Sequence, residues 1–466
     1  MKPVITFFLT CCLACIISCK KDSFITSADA VINLSADSIH FDTLFTTTGS
    51  VTHFFKIFNA NDSKIKISEI SLAGGSNSFF MINADGTEGP SVSNLEIEAE
   101  DSLYVFVTVK IDPTAENLPF VVQDSVSIAF NGNKKWVQLD AWGQNANFIR
   151  GQVITVNTTW TNEKPFVILG GVLVPEGVEL RIEKGTKVYL HADAPFIVDG
   201  TLKATGEKYD SMRVVFRGDR LDEFYRDLPA SWPGIYFRQT SSNNLLKYVT
   251  VQNAYQGIVT EKPADNGLAK VTLEECIIDN CYDAGLLAVN SSVIAINSLV
   301  SNCGKNIQLV QGGEYEFVHC TNVAISNSFI SHRQPVLAVA DFIKIGDEIT
   351  LGDMTASFTN CIFWGANGTV DNEVITAREG TGVFDVSFKN CIWKVEEDPG
   401  GAAIENVVNN TDPSFEVVDS RNNIYNFRLK EGSPAINNGA PTAILTDLDG
   451  NNRVNIPDIG AYETTF

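Results

Sequence analysis

Histidine is scarce, with five in 466 residues, and His191, His319 and His332 lie far apart along the chain. That leaves no constellation for a histidine-based mechanism. Downstream of residue 19 there is no Cys-x-x-Cys pair and no His-spaced cysteine cluster, which argues against a zinc site. Clusters of Lys and Arg are missing too: 34 basic against 56 acidic residues give a formal net charge of −22. Such a chain is a poor match for nucleic acid or anionic headgroups, and neutral glycans or cation-bridged partners fit it better. Long helical periodicity is also missing. What is present is a 44% hydrophobic composition cut into short Val-, Ile- and Phe-rich runs, punctuated by 34 Gly and by frequent Asn, Ser and Thr. That texture is all-β.

The one long apolar run, Val4 to Ile17 after Met1-Lys2, suits the core of a signal peptide and is too short to span a bilayer stably. Its end, Ile16-Ile17-Ser18-Cys19 followed by Lys20-Lys21-Asp22, resembles the lipobox of Bacteroidetes exported lipoproteins. The resemblance implies a signal peptide over 1–19 and a lipid on Cys19. Residues 20–28 then form a tether, and the protein sits in the cell envelope, anchored to the outer membrane through lipid, with no transmembrane helix.

Residues 29–148 alternate in the manner of strands and hold no cysteine. Runs such as Phe54-Phe55-Lys56-Ile57-Phe58, Ile65-Lys66-Ile67, Leu103 to Val109 and Val126 to Phe130 are bounded by Asn, Gly and Pro turns at the spacing of a β-sandwich. They resemble the immunoglobulin-like modules that bacterial surface proteins place beside a binding or catalytic unit.

From Gly151 the texture changes to short strands and tight Gly turns, as in Val172 to Val188 and Ile197 to Gly206. The unit Asn360-Cys361-Ile362 recurs at Asn390-Cys391-Ile392, with a degenerate copy at Glu275-Cys276-Ile277. An interval of about 30 residues marks a solenoid of on the order of ten stacked coils. The pattern resembles the right-handed parallel β-helix of the pectate-lyase-like superfold, here over 149–430. The ending Asp412-Pro413-Ser414-Phe415, Gly432-Ser433-Pro434-Ala435-Ile436 and Asp458-Ile459-Gly460-Ala461-Tyr462-Glu463 resembles that of bacterial β-helix lipoproteins, and 431–466 is read as a cap on the last coil. Six cysteines, Cys276, Cys281, Cys303, Cys320, Cys361 and Cys391, lie in the repeat region. They are expected as free, inward thiols stacked beside Ile277, Ile362 and Ile392, with Cys276 and Cys281 the pair best placed for a disulfide. The Asn residues are expected at left-handed turns, bonding from coil to coil.

Three places can carry chemistry. The charged loop from Arg217 to Trp232 interrupts the coils. In it Arg220 and Arg226 can clamp carboxylates, Asp222 and Asp227 can hold a cation or ring hydroxyls, and Tyr225 and Trp232 offer faces for sugar. Trp364 and Trp393, after the two Asn-Cys-Ile copies, can stack as a platform if neighbouring coils align them. Asp447, Asp449, Asn451, Asn455 and Asp458 resemble a calcium loop, although Asn452 stands at the turn glycine and Asp458 replaces the long bidentate Glu. The paired acids of polygalacturonase-like hydrolases are missing around Asn410-Thr411-Asp412. These readings favour a monomeric surface lipoprotein that binds polysaccharide or a surface partner. The alternatives are a lyase or glycoside hydrolase acting on an acidic glycan, and a structural component of a surface layer.

Overall fold

The computed structural model describes residues 23–46, 49–112 and 120–465, so Cys19 lies outside the described residues. The chain divides into two compact units between Asn145 and Ala146. Among the described residues, regular structure is strand apart from two three-residue 3-10 turns, Gly75–Asn77 and Asp210–Met212.

The first unit is two sheets around one core. One holds Phe24–Ile25, Lys64–Leu72, Phe120–Phe130, Asn133–Gln144 and Ser38–Phe45 in spatial order, with Ser91–Ile97 also against Lys64–Leu72. The other is ordered Ile32–Leu34, His53–Asn59, Ser102–Val109, Phe80–Ala84, Thr87–Gly89. Strand alternation sends Ile65, Ile67 and Ile70 inward from one sheet and Phe55, Ile57, Val105 and Val107 inward from the other. Phe24–Ile25, expected in the tether, instead pairs in parallel with Lys64 and Ile65.

The second unit is dominated by one 26-stranded sheet whose pairs are all parallel. Strands pair mostly with the third strand onward, which sets up three ladders and makes the pattern compatible with a β-helix. One ladder runs through Lys187–Leu190, Val214–Gly218, Val249–Gln252, Ile277–Asp279, Leu299–Ser301, Thr321–Ile325, Ile362–Ala366 and Ile392–Trp393. Its inward residues, among them Val188, Phe216, Ile278, Val300 and Phe363, join the solenoid core.

The corner before this ladder is left-handed in coil after coil. Tyr248, Glu275, Asn297, His319, Asn360, Asn390 and Asn406 have φ between 47 and 55°, a region that Asn tolerates better than most residues. The reversal turns the next residue inward, so Cys276, Cys320, Cys361 and Cys391 enter the core as free thiols. Cys276 is not bonded to Cys281, and all six cysteines are free and buried.

The isoleucines that follow do not share that face. Ile277, Ile362 and Ile392 point outward, because adjacent strand residues face opposite sides. They are covered by Phe415, Phe427, Leu429, Leu448, Ile459 and Tyr462. The chain after the coils therefore lies along the side of this ladder, and among the described residues Val374–Ala377, Ala402–Glu405 and Val408–Asn409 at the end of the sheet gain no further partner strand. The outward apolar row supplies the reason, since water would otherwise meet it.

Residues 438–446 form an extended strap along the left-handed corner. Asn390 donates to the Asn438 carbonyl, Asn360 to that of Ala440, His319 meets Thr442, and Asn297 donates to the Thr446 carbonyl. Most of the Asn side chains of this corner thus hold the strap, and Asn-to-Asn bonding between coils occurs at the next corner, where Asn280 donates to Asn253 at 2.9 Å.

Candidate functional site

Where the outward row of the first ladder is apolar, the C-terminal segment covers it. Where that row is polar, a groove opens between the ladder and the Ile424–Leu429 strand, with a volume of about 580 Å³. Its floor is written one residue per coil. Tyr189 registers with Arg217, Gln252 with Asp279 and Asp279 with Ser301, and Arg217 and Gln252 continue the register that pairs Phe216 with Val251. Coils stack at roughly 4.8 Å.

Positive charge gathers at the early coils. Arg217 donates to the Arg226 carbonyl at 2.6 Å and lies 3.9 Å from Asp227, while its buried Nε has no hydrogen-bond partner. Burial lowers the Arg217 guanidinium and the Lys187 ammonium from their ordinary values. Arg213 is committed to the fold through Thr250 and the Val249 carbonyl, and Arg428 forms a two-pronged pair with Asp449 at 2.6 and 2.7 Å. Asp279 accepts from Ser301 at 2.6 Å, and burial pushes its carboxyl up to about 6. Cations and one readily protonated acid thus face the same polar groove.

The loop singled out from the sequence is closed on itself. Arg220 grips Asp222 at 2.8 and 3.1 Å and lies 3.8 Å from the centre of the Tyr225 ring. Arg226 pairs with Asp227 at 3.3 Å. Trp232 is no sugar face: it is buried in the core and its indole N–H donates to the Gln252 carbonyl. Nor do Trp364 and Trp393 form a platform. Trp393 registers with Phe363 and sits inside the core, whereas Trp364 registers with Val323 and packs under the C-terminal segment.

The Asp447 to Asp458 stretch does not converge its oxygens. Asp447 accepts from the backbone N–H groups of Asp449, Asn451 and Glu463 and from the Asn451 side chain. Asp458 accepts from the Asn437 and Thr464 N–H groups and the Thr464 hydroxyl, and Asp449 belongs to Arg428. Asn455 is exposed. Among the described residues, no group of three or more His, Cys, Asp or Glu side chains is arranged to hold a metal ion. The sequence reading missed Lys187, Asp279 and Arg428. The signal for Asp279 was the row of outward polar residues, visible only once the coils are aligned.

No family model and no curated protein matches the chain. Among solved structures, it is similar over 24% of its length to a family 123 glycoside hydrolase from Clostridium perfringens, at 11% identity and a TM-score of 0.19. The match spans a quarter of that hydrolase's chain. It is also similar over 27% of its length to the ASH/PapD-like domain of human CEP192, covering 92% of that domain at 12% identity and a TM-score of 0.17. Among the described residues, no helix is long and apolar enough to cross a membrane.

Proposed function

We propose that this chain is a lipid-anchored envelope protein in which an immunoglobulin-like module precedes a right-handed parallel β-helix, and that the groove along the β-helix binds polysaccharide. The observation that carries the reading is the polar row Tyr189, Arg217, Gln252, Asp279 and Ser301, one side chain per coil. A repeating polymer is matched by a repeating floor. Lys187 and Arg217 direct the preference toward acidic sugars despite the net charge of −22. Lipid on Cys19 holds the protein at the outer membrane, and palmitate labelling lost in Cys19→Ala tests that part.

Binding is tested by affinity electrophoresis of the full chain in gels containing a polyuronate or a sulfated glycan. Lys187→Ala with Arg217→Ala weakens retention by at least about tenfold, on the order of 1.4 kcal/mol, whereas Arg220→Ala with Tyr225→Ala leaves it unchanged. The opposite ranking sinks the groove and restores the loop.

One observation favours a second reading, a lyase or glycoside hydrolase acting on the same glycan: Asp279, whose carboxyl burial pushes up to about 6, lines the same groove as Lys187 and Arg217. Product analysis separates the two, since new unsaturated or reducing ends that vanish in Asp279→Asn mean cleavage, and retention without new ends means binding.

A further inference from the structure

The outer face of the five-stranded sheet in the first unit gathers aromatic rings, where two strands of the partner sheet present polar side chains. On the partner sheet the water-facing positions of Lys64–Leu72 and Ser91–Ile97 carry Lys66, Glu69, Ser91, Ser93 and Glu96. On the five-stranded sheet Phe54, Tyr104 and Phe106 face water at 53%, 40% and 40% exposure. Phe54 lies directly opposite Phe106, and Lys56 opposite Tyr104. The Tyr104 and Phe106 rings lie 5.9 Å apart with planes within 13° of each other, and Phe54 leans on both at 5.3 and 6.2 Å. The rings support one another as a fixed platform.

Cross-strand aromatic pairs do stabilise sheets, yet strand pairing does not explain the cavity beside them. Phe106 forms one wall of a cavity of about 330 Å³ that also takes in Thr52, Asn83, Glu88 and Thr108. Asn83 registers with Phe106, and Thr108 with Met81. An apolar floor with hydroxyl and amide groups at its rim suits a ligand that is apolar on one face and rich in hydroxyls at its edge. A pyranose ring has that division.

Charge selects among sugars. Lys56 is engaged over the Tyr104 ring, 4.4 Å from its centroid, and Glu88 at the cavity supplies the opposite sign. The platform is close to neutral, so its complementary partner is uncharged. We infer that Phe54, Tyr104 and Phe106 form a second carbohydrate site that stacks a neutral polysaccharide, with Asn83 and Thr108 bonding its hydroxyls. The inference stands on the first unit alone and is independent of the groove.

The full chain is run in native gels containing soluble neutral polysaccharides: a substituted β-1,4-glucan, a β-1,3-glucan, a mannan and a xylan. The expected result is retardation by at least one of them, reduced by about tenfold or more in Tyr104→Ala and in Phe106→Ala. It is unchanged in Lys187→Ala with Arg217→Ala, so failure here and failure at the groove are told apart. Tyr104→Trp, which keeps a stacking ring, preserves retention and shows a shift of tryptophan emission on addition of the retained glycan. No retardation in any neutral gel overturns the inference, as does equal retardation of the wild type and the alanine variants. Sedimentation that reveals self-association abolished by Phe106→Ala, without glycan retention, also overturns it and assigns the platform to a second copy.

Discussion

Asn360 and Ala440 exchange two hydrogen bonds: the Ala440 N–H donates to Asn360 Oδ1 at 2.7 Å, and Asn360 Nδ2 donates to the Ala440 carbonyl at 2.8 Å. A side-chain amide here substitutes for a strand partner. Asn360 meets this role while holding φ at 55°, so the residue is selected twice, for its backbone and for its amide. Asn360→Ala is therefore expected to destabilise the second unit by about 2–4 kcal/mol, from two hydrogen bonds and the left-handed backbone. Asn360→Gly keeps the backbone and loses only the bonds, so it falls between the two. Urea midpoints with limited proteolysis of 438–446 check this ordering, and an Asn360→Gly as damaging as Asn360→Ala contradicts it.

His319 occupies the same corner one coil earlier, and its unprotonated Nε2 accepts from Asn360 at 3.0 Å. Burial, with Arg453 nearby, lowers its pKa from 6.5 to about 3. The folded state refuses a proton that the unfolded chain takes up, so this contribution is whole above pH 6.5 and shrinks as the pH falls toward 3. Roughly 2 kcal/mol is lost between pH 7 and pH 5. Denaturation of the second unit at the two pH values, in the wild type and His319→Asn, measures it. Equal slopes in both proteins count against the assignment.

Asp279 acts in the other direction. Its folded pKa of about 6 exceeds the ordinary 3.8, so its contribution is whole below pH 3.8 and is lost as the pH rises through 6. Asp279→Asn mimics the protonated form and still accepts from Ser301. It is expected to be more stable than the wild type by about 1–2 kcal/mol at pH 7.5. The two proteins converge near pH 4. A variant less stable at pH 7.5 than at pH 4, relative to the wild type, reverses the sign.

The six buried cysteines are expected to resist labelling. All six are closed off from reagent by burial, and in three of them burial also pushes the thiol up, Cys276 to about 12 and Cys303 and Cys361 well above the ordinary range, so those three hold little thiolate to attack. A disulfide-exchange reagent at pH 8 should find these six silent in the folded protein and reactive in denaturant. Fast reaction of any one of them in the native state marks a local opening.

Much of the architecture was readable because alternation is a short-range property. Phe54 to Phe58 and Leu103 to Val109 announce their strands residue by residue, and the resulting strands are His53–Asn59 and Ser102–Val109. The facing of Cys361 against Ile362 was not readable, because one left-handed residue at Asn360 resets which side comes next. The groove was harder still. Joining Arg217 to Asp279 requires the register between coils, and coil length varies: Thr321 pairs with Ile362 only after an insertion that holds the hairpin Phe342–Ile345 and Glu348–Leu351. The charged loop drew attention because its residues are neighbours in sequence. That same nearness lets Arg220 and Asp222 satisfy each other.

The strap along the corner changes how the molecule comes apart. Stacked repeats ordinarily behave as beads with nearest-neighbour coupling, able to fray one at a time from an end. Here residues 438–446 touch the coils of Asn297, His319, Asn360 and Asn390 at once. Those coils are made before the strap in chain order. During synthesis they remain a row of separable units, and they become a single cooperative block when residues 438–446 are laid across them.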